Sequence, residues 1–137
     1  MAKTQPSDQD ERQVVGYVLA DEPDEVAIAL LRKQIAMYCG VSGLRLVTVF
    51  CDRGVGDDTT ARARFFELTR MLADKSMYGV VVPTLDHLSS FSLVRLVLIR
   101  MISTAGSQLF VIDDTVGHGA TAATLSVASP GQGGNIP

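Results

Sequence analysis

Between Gly79 and Pro83 the chain places three consecutive valines, Val80, Val81 and Val82. A β-branched run of this kind resists a helix and suits a strand, and the flanking glycine and proline end it quickly. A strand apolar at every position, rather than at every second one, is buried on both faces, as in a parallel sheet covered by helices. Polar residues follow at once: Thr84, Asp86, His87, Ser89 and Ser90. Ligands of open α/β sheets gather beyond the carboxyl ends of the strands, so these side chains mark a candidate site.

The rest of the chain repeats the alternation that such a strand requires. Val14–Ala20 reads as a first buried strand, ended by Asp21, Glu22, Pro23 and Asp24, a cluster suited to a helix start. Val26, Leu30, Leu31, Gln34, Ile35 and Tyr38 then recur at helical spacing, with Arg32 and Lys33 opposite and Gly40 or Gly43 as the stop. Leu44–Cys51 is the second strand, with a loop over 52–58. Ala61–Leu72 is a helix whose Phe65, Leu68 and Leu72 face inward while Arg62, Glu67 and Arg70 face water. After the valine strand, a helix over about Ser92–Thr104 is stopped by Gly106, and Leu109–Ile112 is a fourth strand ending at Asp113 and Asp114. The order β-α-β-α-β-α-β predicts an α/β fold, a mainly parallel four- to five-stranded sheet with right-handed crossovers and helices on both faces.

The helix over 92–104 has almost no polar side. Leu93, Leu96, Val97 and Ile99 stand out as interface candidates, with Arg100 among them. A surface helix needs an apolar stripe about 100° wide, and this one has more, so something beyond its own sheet covers it. A second protein chain is the simplest cover; a neighbouring helix or the tail of the same molecule is the alternative.

At 137 residues and 47% apolar composition, one domain with a true core accounts for the chain. Residues 1–12 read as a disordered leader, 13–114 as the α/β domain and 115–137 as a flexible tail rich in Gly, Ala and Ser. A net charge of −3 argues against a broad phosphate-binding face. Cys39 and Cys51 lie in apolar segments and read as buried free thiols. No apolar run reaches the roughly 18 residues of a bilayer span, and the expectation is a soluble, cytoplasmic protein with no membrane partner.

Three segments in register carry a resemblance: GYVLAD at Gly16–Asp21, FCDRGVGDDTTARARF at Phe50–Phe65, and VVVPTLDHLSS at Val80–Ser90. In order and spacing they resemble the N-terminal catalytic domain of the serine recombinases, the resolvase and invertase family, over about residues 13–113. That resemblance implies a serine attacking a DNA phosphodiester and arginines holding the phosphate. The family's first strand ends Tyr-x-Arg-x-Ser, where this chain has Tyr17, Val18, Leu19, Ala20 and Asp21. Its Leu-Asp-Arg-Leu-x-Arg motif is matched by Leu85, Asp86, His87, Leu88, Ser89 and Ser90. The serine and two of the arginines have gone, together with the arginine of the first strand. Arg62 and Asp86 remain. An acid in place of a hydroxyl repels a phosphate, and one arginine from a set contributes little alone. The tail shows no helix-turn-helix pattern, so the family's C-terminal DNA-binding module is not expected.

The resulting expectation is a catalytically inactive resolvase-like domain, a pseudoenzyme acting as a protein-interaction or regulatory module. It would be a homodimer or higher oligomer, with a possible protein partner and without DNA as a partner or any cofactor. One alternative is a metal-dependent phosphoryl-transfer enzyme using the strand-end acids Asp21, Glu22, Asp52 and Asp86. The plainer reading is that Asp21 and Asp24 cap a helix while Asp52 and Asp86 organise loops. Another alternative is an accessory DNA-binding protein. His87 beside Ser89 or Ser90 is a candidate acid or base, though a polar loop residue is the plainer reading. Arg53, Arg62 and Arg64 are candidates to meet an anion, a surface salt bridge to Asp57 or Asp58 being the plainer reading. Gly54 and Gly56 make only a short Gly-x-Gly turn.

Overall fold

The computed structural model describes residues 12–113. All but one residue of the leader, as well as Asp114, His118 and the tail, lie outside the described residues. Four strands and three helices alternate: β1 (Gln13–Ala20), α1 (Glu25–Ser42), β2 (Arg45–Arg53), α2 (Ala63–Lys75), β3 (Gly79–Val82), α3 (Ser92–Thr104) and β4 (Gln108–Val111), with a short 3-10 turn at Leu85–His87. The sheet order is β2-β1-β3-β4 and all pairs are parallel. The valine strand is therefore internal, and every residue of β3 is buried.

Alternation along β1 divides the core into two layers. Val14 and Val18 face α1 through Ile28, Ile35 and Cys39. Val15 and Tyr17 face the other way, onto Phe65, Leu68 and Leu72 of α2 and Leu98 and Ile102 of α3. One helix covers one face and two cover the other. Gly16 lets α1 come close, because a Cβ there would meet Ile35 Cγ2 at 3.0 Å.

Helix ends follow the expected local chemistry in part. Asp24 Oδ1 accepts from the amides of Val26 and Ala27, which makes Asp24 the N-cap, whereas Asp21 caps nothing on α1. Gly43, at φ 74°, closes α1.

The inward face of α1 matches the expected one only in part. Val26 is 72% and Leu30 63% exposed, and Gln34 is exposed as well. Ile35 is buried as expected, with Leu31 and Tyr38 packed beside it, and Ile28 and Cys39 take the places expected for Val26 and Leu30. α1 is apolar on several sides, and Ile28 lies about 200° around the helix from Val26; the sheet selected the stripe that Gly16 admits. β2 also runs further than expected. It stays paired with β1 to Ala20 opposite Arg53, so Asp52 and Arg53 belong to the strand and not to the loop.

Candidate functional site

β1 and β3 are neighbours whose onward connections run in opposite directions, the position where open α/β sheets form a crevice. Around their carboxyl ends stand Tyr17, Leu19, Asp52, Arg62, His87, Ser89 and Ser90.

Asp52 organises the floor. It is 3% exposed, and its Oδ2 accepts from the Tyr17 hydroxyl at 2.7 Å and from the Phe65 amide at 3.0 Å. Its Oδ1 accepts from the Arg64 amide at 2.9 Å. Arg62, the residue preceding α2, offers no side-chain cap, so a carboxylate from β2 satisfies the first-turn amides in its place. Burial first, then the bond to Asp52, raises the Tyr17 phenol far above its ordinary value and keeps it protonated.

Arg62 does not face water as the helical pattern predicts. It is 2% exposed. Its Nε donates to the Thr59 carbonyl at 2.9 Å, and its two terminal nitrogens donate to the carbonyls of His87 and Asp57, each at 3.3 Å. It precedes α2 instead of lying on the helix's outer face, which turns the side chain into the loop. The expected salt bridge to Asp57 or Asp58 is replaced by these carbonyl bonds, although the Arg62 charge still contributes to lowering Asp57. The other two arginines pair with glutamates, Arg53 with Glu25 at 2.8 Å and Arg64 with Glu67 at 2.7 Å.

The 84–90 turn closes the site. Thr84 Oγ1 accepts from the Asp86 amide, and the Asp86 residue is exposed. Asp57 Oδ2 accepts from the Ser90 hydroxyl at 2.7 Å and the Ser90 amide at 3.0 Å, bonds that hold its carboxyl below the usual carboxylate range. Ser89, fully buried, donates its hydroxyl to the Asp57 carbonyl. His87 Nδ1 accepts the Leu19 amide at 3.0 Å.

The structure thus brings Leu19, Arg62, His87 and Ser90 into one bonded network, with Tyr17, bonded to Asp52, beside it and within reach of the Arg62 charge. Asp21 and Asp86 are exposed and take no side-chain bond in it. Among the described residues, no three His, Cys, Asp or Glu side chains are grouped as a metal ion would require, so the strand-end acids do not converge. Asp52 and Asp57 are the residues whose roles sequence reasoning missed; an acid at a strand end followed about twelve residues later by an uncapped helix start was the available signal.

Of the interface candidates, Leu93 is 76%, Leu96 51% and Val97 46% exposed, while Ile99 packs partly against the core. Leu96, Val97, Arg100 and Met101, with Ala73 from α2, line a groove of about 660 Å³. Cys39 and Cys51 are buried and free, their thiols pushed up chiefly by burial. Among the described residues, no helix is long and apolar enough to cross a membrane.

No protein-family model matches the sequence, and no curated protein matches it. Solved structures do. The N-terminal catalytic domain of TP901-1 integrase shares 17% identity over 86% of this chain and 93% of its own, with a TM-score of 0.68. The C-terminal catalytic domain of ISC1926 TnpA, an IS607-like serine recombinase, gives 18%, 85%, 81% and 0.66 in the same order. A resolvase family site-specific recombinase from Streptococcus pneumoniae gives 12%, 90%, 89% and 0.64. The strand order, the crossovers and the layers described above are therefore the fold of the serine recombinase catalytic domains.

Proposed function

We propose that this chain is a catalytically silent protein on the serine recombinase fold, serving as a self-associating interaction module. The observation that carries this reading is the state of its cations. Phosphoryl transfer by a serine needs a hydroxyl and several guanidinium groups facing one phosphate. The end of β1 offers an exposed Asp21, and the positions that resemble the family's arginines hold Leu19, His87 and Ser90. Arg62 donates to three backbone carbonyls and also acts on the Tyr17 phenol. The serine hydroxyls nearby are committed to the Asp57 loop.

Self-association is supported by the outer face of α2 and α3. Phe66, Leu93, Leu96 and Val97 are each about half or more exposed there, beside the groove between the helices. Two experiments test the two halves of the reading. Incubation with supercoiled plasmid DNA, followed by denaturation, is expected to give no protein–DNA covalent adduct and no cleavage; an adduct would refute silence. Light scattering is expected to show an assembly that Leu96→Glu with Val97→Glu dissociates, with the circular dichroism spectrum unchanged. A wild-type chain that stays monomeric at high concentration removes the self-association.

A further inference from the structure

β1 outruns β3. Their ladder joins Val14, Val15 and Gly16 to Gly79, Val80 and Val81, after which Pro83 and the 3-10 turn end the β3 side. A backbone N–H further along β1 needs another acceptor. Leu19 finds one in a side chain, His87 Nδ1, at 3.0 Å. A ring nitrogen accepts only when it carries no proton, so the bond specifies a neutral imidazole with its hydrogen on Nε2.

His87 is also a junction. Its carbonyl accepts from Arg62, and its amide donates to the Thr84 carbonyl at 3.1 Å. Farther along the same turn, Ser89 and Ser90 bind the Asp57 loop. The turn is thus held to the Asp57–Arg62 loop by several bonds and to the far end of β1 by the ring. Two charged groups bear on that ring. Asp86, on its own turn, favours the protonated form; Arg62, from the loop before α2, adds positive charge behind the His87 carbonyl. β1 contributes an uncharged amide at Leu19. Burial outweighs both Asp86 and the Leu19 backbone contact, which favour the protonated form, and holds the imidazole below its ordinary value; the direction of the bond is fixed by geometry, the Leu19 amide pointing at Nδ1.

We propose that His87 is an acid-released latch: neutral, it fastens the 84–90 turn to the end of β1, and protonated, it lets go. Protonation turns the acceptor into a donor, so two N–H groups face each other and the Leu19 amide is orphaned. The direction with pH follows from linkage. The unfolded chain binds this proton near the ordinary value of 6.5, and the folded chain resists it. The latch is fully closed above that value and opens as pH falls through the lowered native one.

Hydrogen exchange of the Leu19 amide in the ¹⁵N-labelled full chain, with the imidazole ¹⁵N shifts of His87, tests the latch. Measurements are made at about pH 7.5 and at the lower pH at which the ¹⁵N shifts show His87 protonated. The protection factor of Leu19 is expected to fall about fivefold or more at the lower pH, the factor of one hydrogen bond, and Nδ1 to be unprotonated at the higher. His87→Asn keeps an amide oxygen as acceptor but does not titrate, so its Leu19 protection is expected to be the same at both. His87→Gln serves the same purpose if the asparagine variant does not fold. Protection in the wild type that is unchanged while His87 titrates overturns the proposal. So does an equal acid loss in the non-titrating variant, or a proton on Nδ1 at the higher pH.

Discussion

Removing the Asp52 carboxylate tests whether one buried acid joins β1, β2 and α2. Asp52→Ala strips acceptors from the Tyr17 hydroxyl and from the Arg64 and Phe65 amides. Loss of a helix cap costs about 1 kcal/mol, and a buried hydroxyl left without a partner costs about 1–3 kcal/mol. With the small cavity added, the expected destabilisation is about 3–4 kcal/mol. Tyr17→Phe alone leaves Asp52 bonded to both amides and costs about 1 kcal/mol. In the Asp52→Ala background the same change removes the orphaned hydroxyl, so it is expected to restore about 1 kcal/mol. The coupling across the pair is then about 2 kcal/mol. Urea denaturation followed by circular dichroism, on the two single variants and the double, measures it provided the m-values agree. Additive effects, with coupling under about 0.3 kcal/mol, would refute the claim that the 2.7 Å bond ties the layers together.

Two further outcomes follow from close packing and from burial. Gly79→Ala brings a Cβ to 2.6 Å from Phe110 Cε2 and 2.8 Å from the Gln108 carbonyl oxygen, which is backbone and cannot yield cheaply; a loss of about 2–3 kcal/mol is expected by denaturant melt, and a neutral result would mean β3 and β4 are not held at this spacing. Cys39 and Cys51 are expected to react with a thiol reagent far more slowly in the native chain than in urea, because both are buried with raised thiols. Fast native labelling of both would place them outside the core.

How far the sequence announced this molecule differs from element to element. α3 occupies Ser92–Thr104 as expected, because its apolar run is dense and Phe91 and Gly106 bound it. β3 was legible from three valines, since an all-apolar short run has few places to go. α1 was legible as a helix but not in its orientation. Val26 and Leu30 extend the stripe through Ile35 as well as Ile28 and Cys39 do, and only contact with Gly16 and the sheet separates them. The positions of the site could be listed from the resemblance, yet its bonding could not. That Asp52 caps a helix across the sheet, and that Arg62 turns inward to carbonyls, depend on contacts between β2, the 54–62 loop and the 84–90 turn, which local periodicity does not encode.

β1 pairs with β2 along its whole length but with β3 along less than half of it. The length left over is closed by a side chain and not by a third strand, because the 84–90 turn lies there and His87 Nδ1 takes the Leu19 amide. Replacing His87 therefore removes a hydrogen-bond partner of the strand as well as a side chain of the turn, which no other substitution in 84–90 does through its side chain.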